Sequence, residues 1–378
     1  MMTLLQFIMR KPDMETFETS GKKINVMVVT PTLECGGAER FVSLFCNNND
    51  NGILQLTLVV INNKLPFYKI DNSAVKIINL GTERVSRSLI KLKTCINQVK
   101  PDIVFTTSNH LNLYISIFKF LFSNNIIWIA RETSVVSINS KYSRHPDIYR
   151  LLLKTFYKKI DHIICQSVYM QKDLVKNYHI DINKTSVIYN AVDPAMHKYE
   201  GTFKQNSFIT VARLSAEKGI DKLIRTMATL NIPYNYSIVG NGPEKESLLR
   251  LTRSLGIEER VQFSGQLEKP FSGKEDSQIY LLGSLYEGFP NSVIEANALG
   301  IPVVSKNIPG GTEEIITDAG NGFIAVDDDD FRKKILIATT FPFNRKQISE
   351  STIKRFSIDK MMNSIVSLFS ELNSLKKK

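Results

Sequence analysis

Two pairs of ionisable residues stand out by their type and spacing. Arg213 and Lys218 lie five apart in Val211-Ala212-Arg213-Leu214-Ser215-Ala216-Glu217-Lys218-Gly219, where an apolar strand gives way to a helix. At the carboxyl edge of a parallel sheet, a planar guanidinium and a compact ammonium can converge on one diphosphate. Two surface cations, with Lys218 paired to a nearby acid, would leave the same string. Glu287 and Glu295 lie eight apart in Ser284-Leu285-Tyr286-Glu287-Gly288-Phe289-Pro290-Asn291-Ser292-Val293-Ile294-Glu295-Ala296. This spacing puts one carboxylate in a loop and the other in the first turn of a helix that Asn291 can cap. Both can face one ligand. A solvated loop acid at 287 and dipole compensation at 295 are the plainer alternatives.

A third signal is Thr30-Pro31-Thr32-Leu33-Glu34-Cys35-Gly36-Gly37-Ala38-Glu39-Arg40, again a strand followed by a helix. Gly36 and Gly37 lack a Cβ, so an anion can approach the backbone where free N–H groups favour it. A tight turn would use the same glycines, and the string is not the dinucleotide GxGxxG.

These residues need sheets to position them. Strands of four to six β-branched and apolar residues alternate with amphipathic helices, the pattern of parallel α/β sheets. The first set is Ile24–Val29, Leu56–Ile61, Ile103–Thr106, Ile126–Ala130, His162–Cys165 and Ser186–Ile188. The rhythm then restarts with Phe208–Val211, Tyr236–Val239, Val261–Ser264, Ile279–Leu282, Val303–Ser305 and Gly322–Ala325, with helices beginning near Lys218, Glu244, Asn291 and Gly311. With 378 residues, two domains are expected. We read residues 1–22 as a tail, 23–195 as a first Rossmann-like domain, 196–350 as a second, and 351–378 as a terminal segment. In that segment Ile358, Met361, Met362, Ile365, Leu368 and Phe369 recur at helical spacing, which predicts a helix packing back on the first domain.

Cys35, Cys46, Cys95 and Cys165 form no CxxC pair, which argues against a zinc site and a disulfide framework and for a reducing cytoplasm. The run Leu111–Ala130 is broken by Lys119 and Ser123-Asn124-Asn125, so it lacks the ~20 apolar residues of a spanning helix. Met1–Met9 is followed by Arg10, Lys11 and acidic residues rather than a cleavage site, a poor signal peptide. The four aspartates 327–330 suit a helix cap better than a metal.

The net charge of +11 is lopsided: residues 1–195 carry 24 Lys/Arg against 15 Asp/Glu. Nucleic acid, an anionic membrane or a phosphorylated substrate would each suit this asymmetry, as would a basic surface with no specific partner. Nucleic acid is disfavoured, because aromatic residues are not interleaved with the cations in a recognisable module. Within Asp147–Ile160, Arg150, Lys154, Lys158 and Lys159 fall beside Leu151, Leu152, Leu153, Phe156 and Tyr157. That is the pattern of a helix lying at a bilayer surface, although the apolar residues equally describe the core face of a domain helix.

The string Glu287 to Glu295 resembles the E-x7-E motif of the retaining glycosyltransferases of family 4, also called glycosyltransferase group 1. The resemblance extends to Gly36-Gly37-Ala38-Glu39, to Ile188-Tyr189-Asn190-Ala191-Val192-Asp193, to Arg213–Gly219, to Val239-Gly240-Asn241-Gly242-Pro243 and to Pro302-Val303-Val304-Ser305. It covers about residues 24 to 372, in the family's order and spacings. It implies the GT-B fold, two Rossmann-like domains facing each other across a cleft. It implies that Arg213 and Lys218 bind the donor diphosphate, that Gly36 and Gly37 close over it, and that Glu295 holds the ribose hydroxyls. Glu287 would address the donor sugar, near the backbone of Gly288, Phe289 and Asn291. His110 and Arg131 are expected on the acceptor side, where an ordinary loop histidine is the alternative for His110. The chain departs from the family between Gly265 and Ser284, where polar residues 271–278 stand in place of an amphipathic helix.

The expected reaction moves a hexose or N-acetylhexosamine from a nucleotide diphosphate-sugar, a UDP-sugar foremost, to an undecaprenyl diphosphate-linked saccharide. O-antigen or capsule assembly at the inner face of the cytoplasmic membrane is the expected setting. No Asp-x-Asp pair is placed for a divalent metal, so fixed cations would replace one and no cofactor is expected. The rivals are a nucleotide-sugar epimerase of the same architecture and a basic nucleic-acid-binding protein.

Overall fold

A computed structural model describes residues 23–193 and 201–377. The expected tail, 1–22, and the expected boundary at 195/196 lie outside the described residues.

The first sheet contains β1 (Ile24–Thr30), β2 (Leu54–Val60), β3 (Lys76–Asn79), β4 (Ile103–Thr106), β5 (Ile127–Arg131), β6 (His162–Cys165) and β7 (Thr185–Val187). Its order is β3-β2-β1-β4-β5-β6-β7, and every pairing is parallel. The helices that follow or join these strands are α1 (Gly37–Asn47), α2 (Leu89–Val99), α3 (Asn109–Phe118), α4 (Val136–Asn139), α5 (Pro146–Phe156) and α6 (Val168–Tyr178). The sequence reading lacks β3, a four-residue edge strand whose Lys76, Ile77 and Asn79 are exposed. An edge strand this short leaves little apolar pattern.

The second sheet contains β8 (Ser207–Val211), β9 (Asn235–Val239), β10 (Val261–Gly265), β11 (Ile279–Leu282), β12 (Val303–Lys306) and β13 (Gly322–Ala325). Its order is β10-β9-β8-β11-β12-β13, again all parallel. Its helices are α7 (Ile220–Ala228), α8 (Lys245–Ser254), α9 (Asn291–Ala298), α10 (Thr312–Ile315), α11 (Asp328–Thr340) and α12 (Arg345–Arg355). The side chain of Asp327 accepts from Asp330 N and so caps α11. No helix separates β10 from β11, where residues 266–278 run as turns. Phe271 still plugs that segment into the core, tilted against Tyr280 at 6.2 Å.

The final helix, α13 (Ile358–Lys377), packs on the first sheet, where Met361, Met362, Ile365 and Phe369 join one core with Val28, Phe45 and Phe105. Phe369 meets Phe105 edge-on at 5.3 Å and Phe45 at 6.4 Å. Each such pair contributes about 0.5–1.5 kcal/mol beyond burial. No helix among the described residues is long and apolar enough to cross a membrane.

In each sheet the strand order reverses direction once, between β1 and β4 and between β8 and β11. Loops leaving neighbouring strands diverge at such a switch point and open a crevice at the carboxyl edge. Gly36, Gly37 and His110 follow β1 and β4, while Arg213, Lys218 and Glu287 follow β8 and β11. The topology therefore gathers the chemistry-bearing residues at the two crevices.

Candidate active site

Lys218 ends a single 3-10 turn after β8, and its Nζ donates to Oε1 of Glu287 at 2.6 Å. Ser284 Oγ donates to the same oxygen at 2.6 Å. Glu287 is held by a parallel bridge to Gly310, and its N–H donates to Pro309 O at 3.0 Å. Gly310 has φ +130°, and a Cβ there would fall on the Glu287 carbonyl, so only glycine fits. Arg213 is more exposed and donates to Glu217 Oε1 at 2.8 Å. Burial acts to raise the Glu217 carboxyl, but hydrogen bonds from Ser215 and Arg213 hold it below the usual range. The two cations thus share a loop, each held by its own acid.

Glu295 is not in the first turn of α9 but in the second, and it is buried. The residue before α9 is Pro290, and Asn291 is the first helical residue rather than its cap. Asn291 instead accepts from Asn190 Nδ2 at 2.6 Å through Oδ1. Dipole compensation does not account for Glu295, because its Oε1 is hydrogen-bonded and ion-paired to Arg40 Nη1 of α1. Burial raises the Glu295 carboxyl and Arg40 opposes that. Burial likewise pulls Arg40 down, but Glu295, Tyr68 and Asp193 outweigh it and leave Arg40 raised. A cavity of about 70 Å³ beside this pair is bounded by Asp193, by Glu275, and by Glu268 to Ser272.

On the first domain, Gly36 precedes α1 and Gly37 opens it. A Cβ on Gly37 would lie 3.4 Å from Asn291 Nδ2, an ordinary contact, so the start of α1 faces the second domain at this point. A Cβ on Gly36 would strike the Glu39 carboxylate, which folds back over this helix end. The N-terminus read as a bare anion site therefore already has a carboxylate beside it. Burial raises the Glu39 pKa.

Gly288 sits against Thr133 O, Ser134 and Met170, across the domains. The Phe289 side chain is buried core, packed on Tyr189 at 5.1 Å and Phe356 at 5.4 Å, and its backbone carbonyl accepts from Asn190 Nδ2 at 3.4 Å. His110, in the first turn of α3, lines a cavity of about 590 Å³ with Glu39, Arg84 and Tyr114. Its Nδ1 lies 2.9 Å from Ser108 Oγ. Burial lowers its pKa, which favours neutral imidazole at neutral pH. The volume suits a small ligand, for which about 300–1,000 Å³ is usual.

Arg131 is not on the acceptor surface. It ends β5 fully buried, its guanidinium 3.7 Å from the Phe41 ring centroid and its Nη2 hydrogen-bonded to Asn190 Oδ1. The expected strand ends at Ala130, but β5 runs on to Arg131, and sequence position alone does not say which way a last strand residue points. Three residues that join the domains were missed as site residues: Arg40, Asn190 and Glu314. Glu314 accepts from the N–H groups of Val168 and Tyr169, both at 3.0 Å, at the start of α6. Arg40 and Asn190 stand inside strings singled out by sequence, but their partners are far away in the chain.

Two parallel sheets with switch-point loops meeting at an acid–cation cluster define a protein of two paired Rossmann-like domains. Family models agree: "Glycosyltransferase Family 4" matches residues 36–196 and "Glycosyl transferases group 1" matches residues 194–355. The chain belongs to this glycosyltransferase family and is a glycosyltransferase of GT-B fold. It is 26% identical over 327 residues to the N-acetylgalactosamine-N,N'-diacetylbacillosaminyl-diphospho-undecaprenol 4-alpha-N-acetylgalactosaminyltransferase of Campylobacter jejuni, spanning 82% of this chain and 87% of that protein. It is 31% identical over 189 residues to the O-antigen chain mannosyltransferase RfbU of Salmonella typhimurium, spanning 48% of this chain and 51% of that one. Anabaena HepE in complex with UDP superposes with a TM-score of 0.75 at 18% identity, covering 92% of this chain and all of that chain. By sequence the chain is thus related to an O-antigen mannosyltransferase and to a transferase acting on an undecaprenol-linked sugar.

Proposed function

We propose that the enzyme transfers a hexosyl or N-acetylhexosaminyl group, with retention, from a nucleotide diphosphate-sugar to a lipid-linked saccharide. The observation that carries this reading is the convergence of Arg213, Lys218, Glu287 and Gly288 on the switch-point loops of the second sheet, where Gly288 meets Thr133, Ser134 and Met170 of the first domain. A UDP-sugar is the donor we assign, in line with the UDP bound by HepE. An undecaprenyl diphosphate-linked acceptor is in line with the one named for the Campylobacter relative.

The demanding step is departure of a highly charged diphosphate, so charge on the β-phosphate must be stabilised as the anomeric bond breaks. Arg213 and Lys218 supply that charge, and no metal is required in this reading. The bond from the anomeric carbon to the phosphate oxygen breaks, the bond to the acceptor oxygen forms on the same face, and the leaving phosphate oxygen takes the acceptor proton. Glu295 would hold the ribose, Glu287 the donor sugar, and the His110 cavity the acceptor.

The exposed residues Ile148 and Leu151 of α5, with Lys154, Lys158 and Lys159 nearby, support a peripheral seat on an anionic membrane. Leu153 and Tyr157 do not belong to that seat, because they are buried in the core. The deciding experiment incubates the protein with labelled nucleotide sugars, with and without undecaprenyl diphosphate-linked saccharides, and assigns the product's anomeric configuration by NMR. An α-linked product from an α-linked donor, formed only with acceptor, is expected. Donor turnover without acceptor would indicate an epimerase instead.

A further inference from the structure

Arg40 belongs to the first domain, yet it reaches the carboxylate assigned here to the ribose. Its Nη1 holds Oε1 of Glu295, and its Nη2 lies 3.9 Å from Asp193 Oδ2. Side-chain exposure is only 15% for Arg40 and 4% for Glu295, so water does little to screen the pair. Among the described residues, Oε2 of Glu295 has no hydrogen-bond partner. The two residues line one cavity.

A ribose diol offers two O–H donors, and an ionised carboxylate is the side chain that only accepts. A buried carboxylate without a cation tends to protonate, which turns one acceptor into a donor. We propose that Arg40 is a positioning residue of the donor site: it fixes Oε1 of Glu295 and leaves Oε2 to accept from the nucleotide's ribose hydroxyls. Ribose recognition is then assembled from both domains. Lysine would not reproduce the arrangement, since it carries the charge without the planar fork that reaches two acids. This inference rests on the reading of Glu295 as the ribose carboxylate.

The test is calorimetric binding of UDP and GDP, each with its 2′-deoxy and 3′-deoxy counterparts, to wild type, Arg40→Met, Arg40→Lys, Glu295→Gln and the Arg40→Met/Glu295→Gln double variant. Wild type is expected to bind one diphosphate about 10–100-fold more tightly than its deoxy forms, the usual contribution of hydrogen bonds to a charged group. In Arg40→Met that preference should fall to within about twofold, in Arg40→Lys it should be intermediate, and the double variant should discriminate no less than Glu295→Gln. Arg40→Met that folds and keeps the full preference overturns the role of Arg40 while leaving Glu295 in place. Full preference in Glu295→Gln, or no diphosphate binding by wild type, overturns the ribose reading and this inference with it. If Arg40→Met fails to fold, Arg40→Lys decides, and unchanged discrimination there overturns the proposal.

Discussion

Lys218 and Glu287, which the family resemblance assigns to the diphosphate and the donor sugar, hold one another at 2.6 Å, with side chains 25% and 14% exposed. A partly buried ion pair of this kind couples its members, so neither acts alone. Lys218→Met and Glu287→Gln are each expected to lower kcat by roughly 10²–10³-fold. The double variant should lose little more than the worse single one, as residues acting as a unit do. Steady-state rates at saturating donor check this, and multiplicative losses would show two independent roles.

Arg213 and Glu295 should separate in stability though both are expected to be needed for transfer. Arg213 is largely exposed, so Arg213→Ala is expected to leave the melting temperature nearly unchanged, as surface substitutions do, and to cost roughly 10²–10³-fold in rate. Glu295→Ala strands the buried Arg40 guanidinium, and breaking such a pair costs about 3–5 kcal/mol. Thermal unfolding of both variants tests the contrast. Equal melting temperatures would mean that the Arg40 pair contributes nothing to the fold.

Transfer is expected to persist in excess EDTA, because in the proposed mechanism Arg213 and Lys218 neutralise the diphosphate in place of a metal. Rate assays before and after chelation decide it. Activity lost to EDTA and restored by Mn²⁺ or Mg²⁺ would refute the metal-free mechanism.

Glu132 gives the stability a pH dependence of its own. It is buried, accepts from Tyr157 and Asn112, and is pushed up to about 7 by burial. A folded-state pKa raised above the unfolded value means the native state binds the extra proton. Stability is therefore full below about pH 4.5 and falls as pH rises through about 7. Glu132→Gln keeps the carbonyl acceptor and removes the titration. Between pH 5 and 8, wild type should lose on the order of 1–3 kcal/mol more stability than the variant. Parallel denaturation curves at every pH would show that Glu132 does not titrate in this range.

Vesicle flotation tests the membrane seat. Wild type is expected to float with anionic liposomes at low salt and to be released as salt screens the charges. Changing Arg150, Lys154, Lys158 and Lys159 to Gln should abolish flotation, and Leu151→Ser should weaken it. Arg150 already pairs with Asp147, so it should contribute less than the three lysines. If wild type stays in solution with anionic and neutral vesicles alike, the seat is wrong.

Elements with a regular apolar period are legible in the sequence. β4, β6, β11 and β13 fall on their expected residues, and the switch-point loops carry Arg213, Lys218 and Glu287 as read. What escaped was long-range: β3 has too few apolar residues to announce itself, and Arg131 turns inward through the geometry of its strand end. Arg40 finds Glu295 255 positions away. Spacing within one string reports a shared loop or helix face, but it is silent on which string will lie opposite, and the site is built from such oppositions.

The last helix carries a consequence for the order in which the molecule becomes whole. α13 supplies Met361, Ile365 and Phe369 to the core beneath β1 and β4, so the sheet made first on the ribosome must wait for the segment made last among the described residues. At about 5–20 residues per second, synthesis of the intervening sheet takes on the order of ten to forty seconds. During that interval the aromatic faces of Phe45 and Phe105 lack their partner, and the nascent first domain is the half with exposed apolar surface. The later half, by contrast, encloses its own β8–β13 core without borrowing a helix. A chain stopped short of α13 should thus fail at its beginning rather than at its end, drawing chaperones to the half that was translated first.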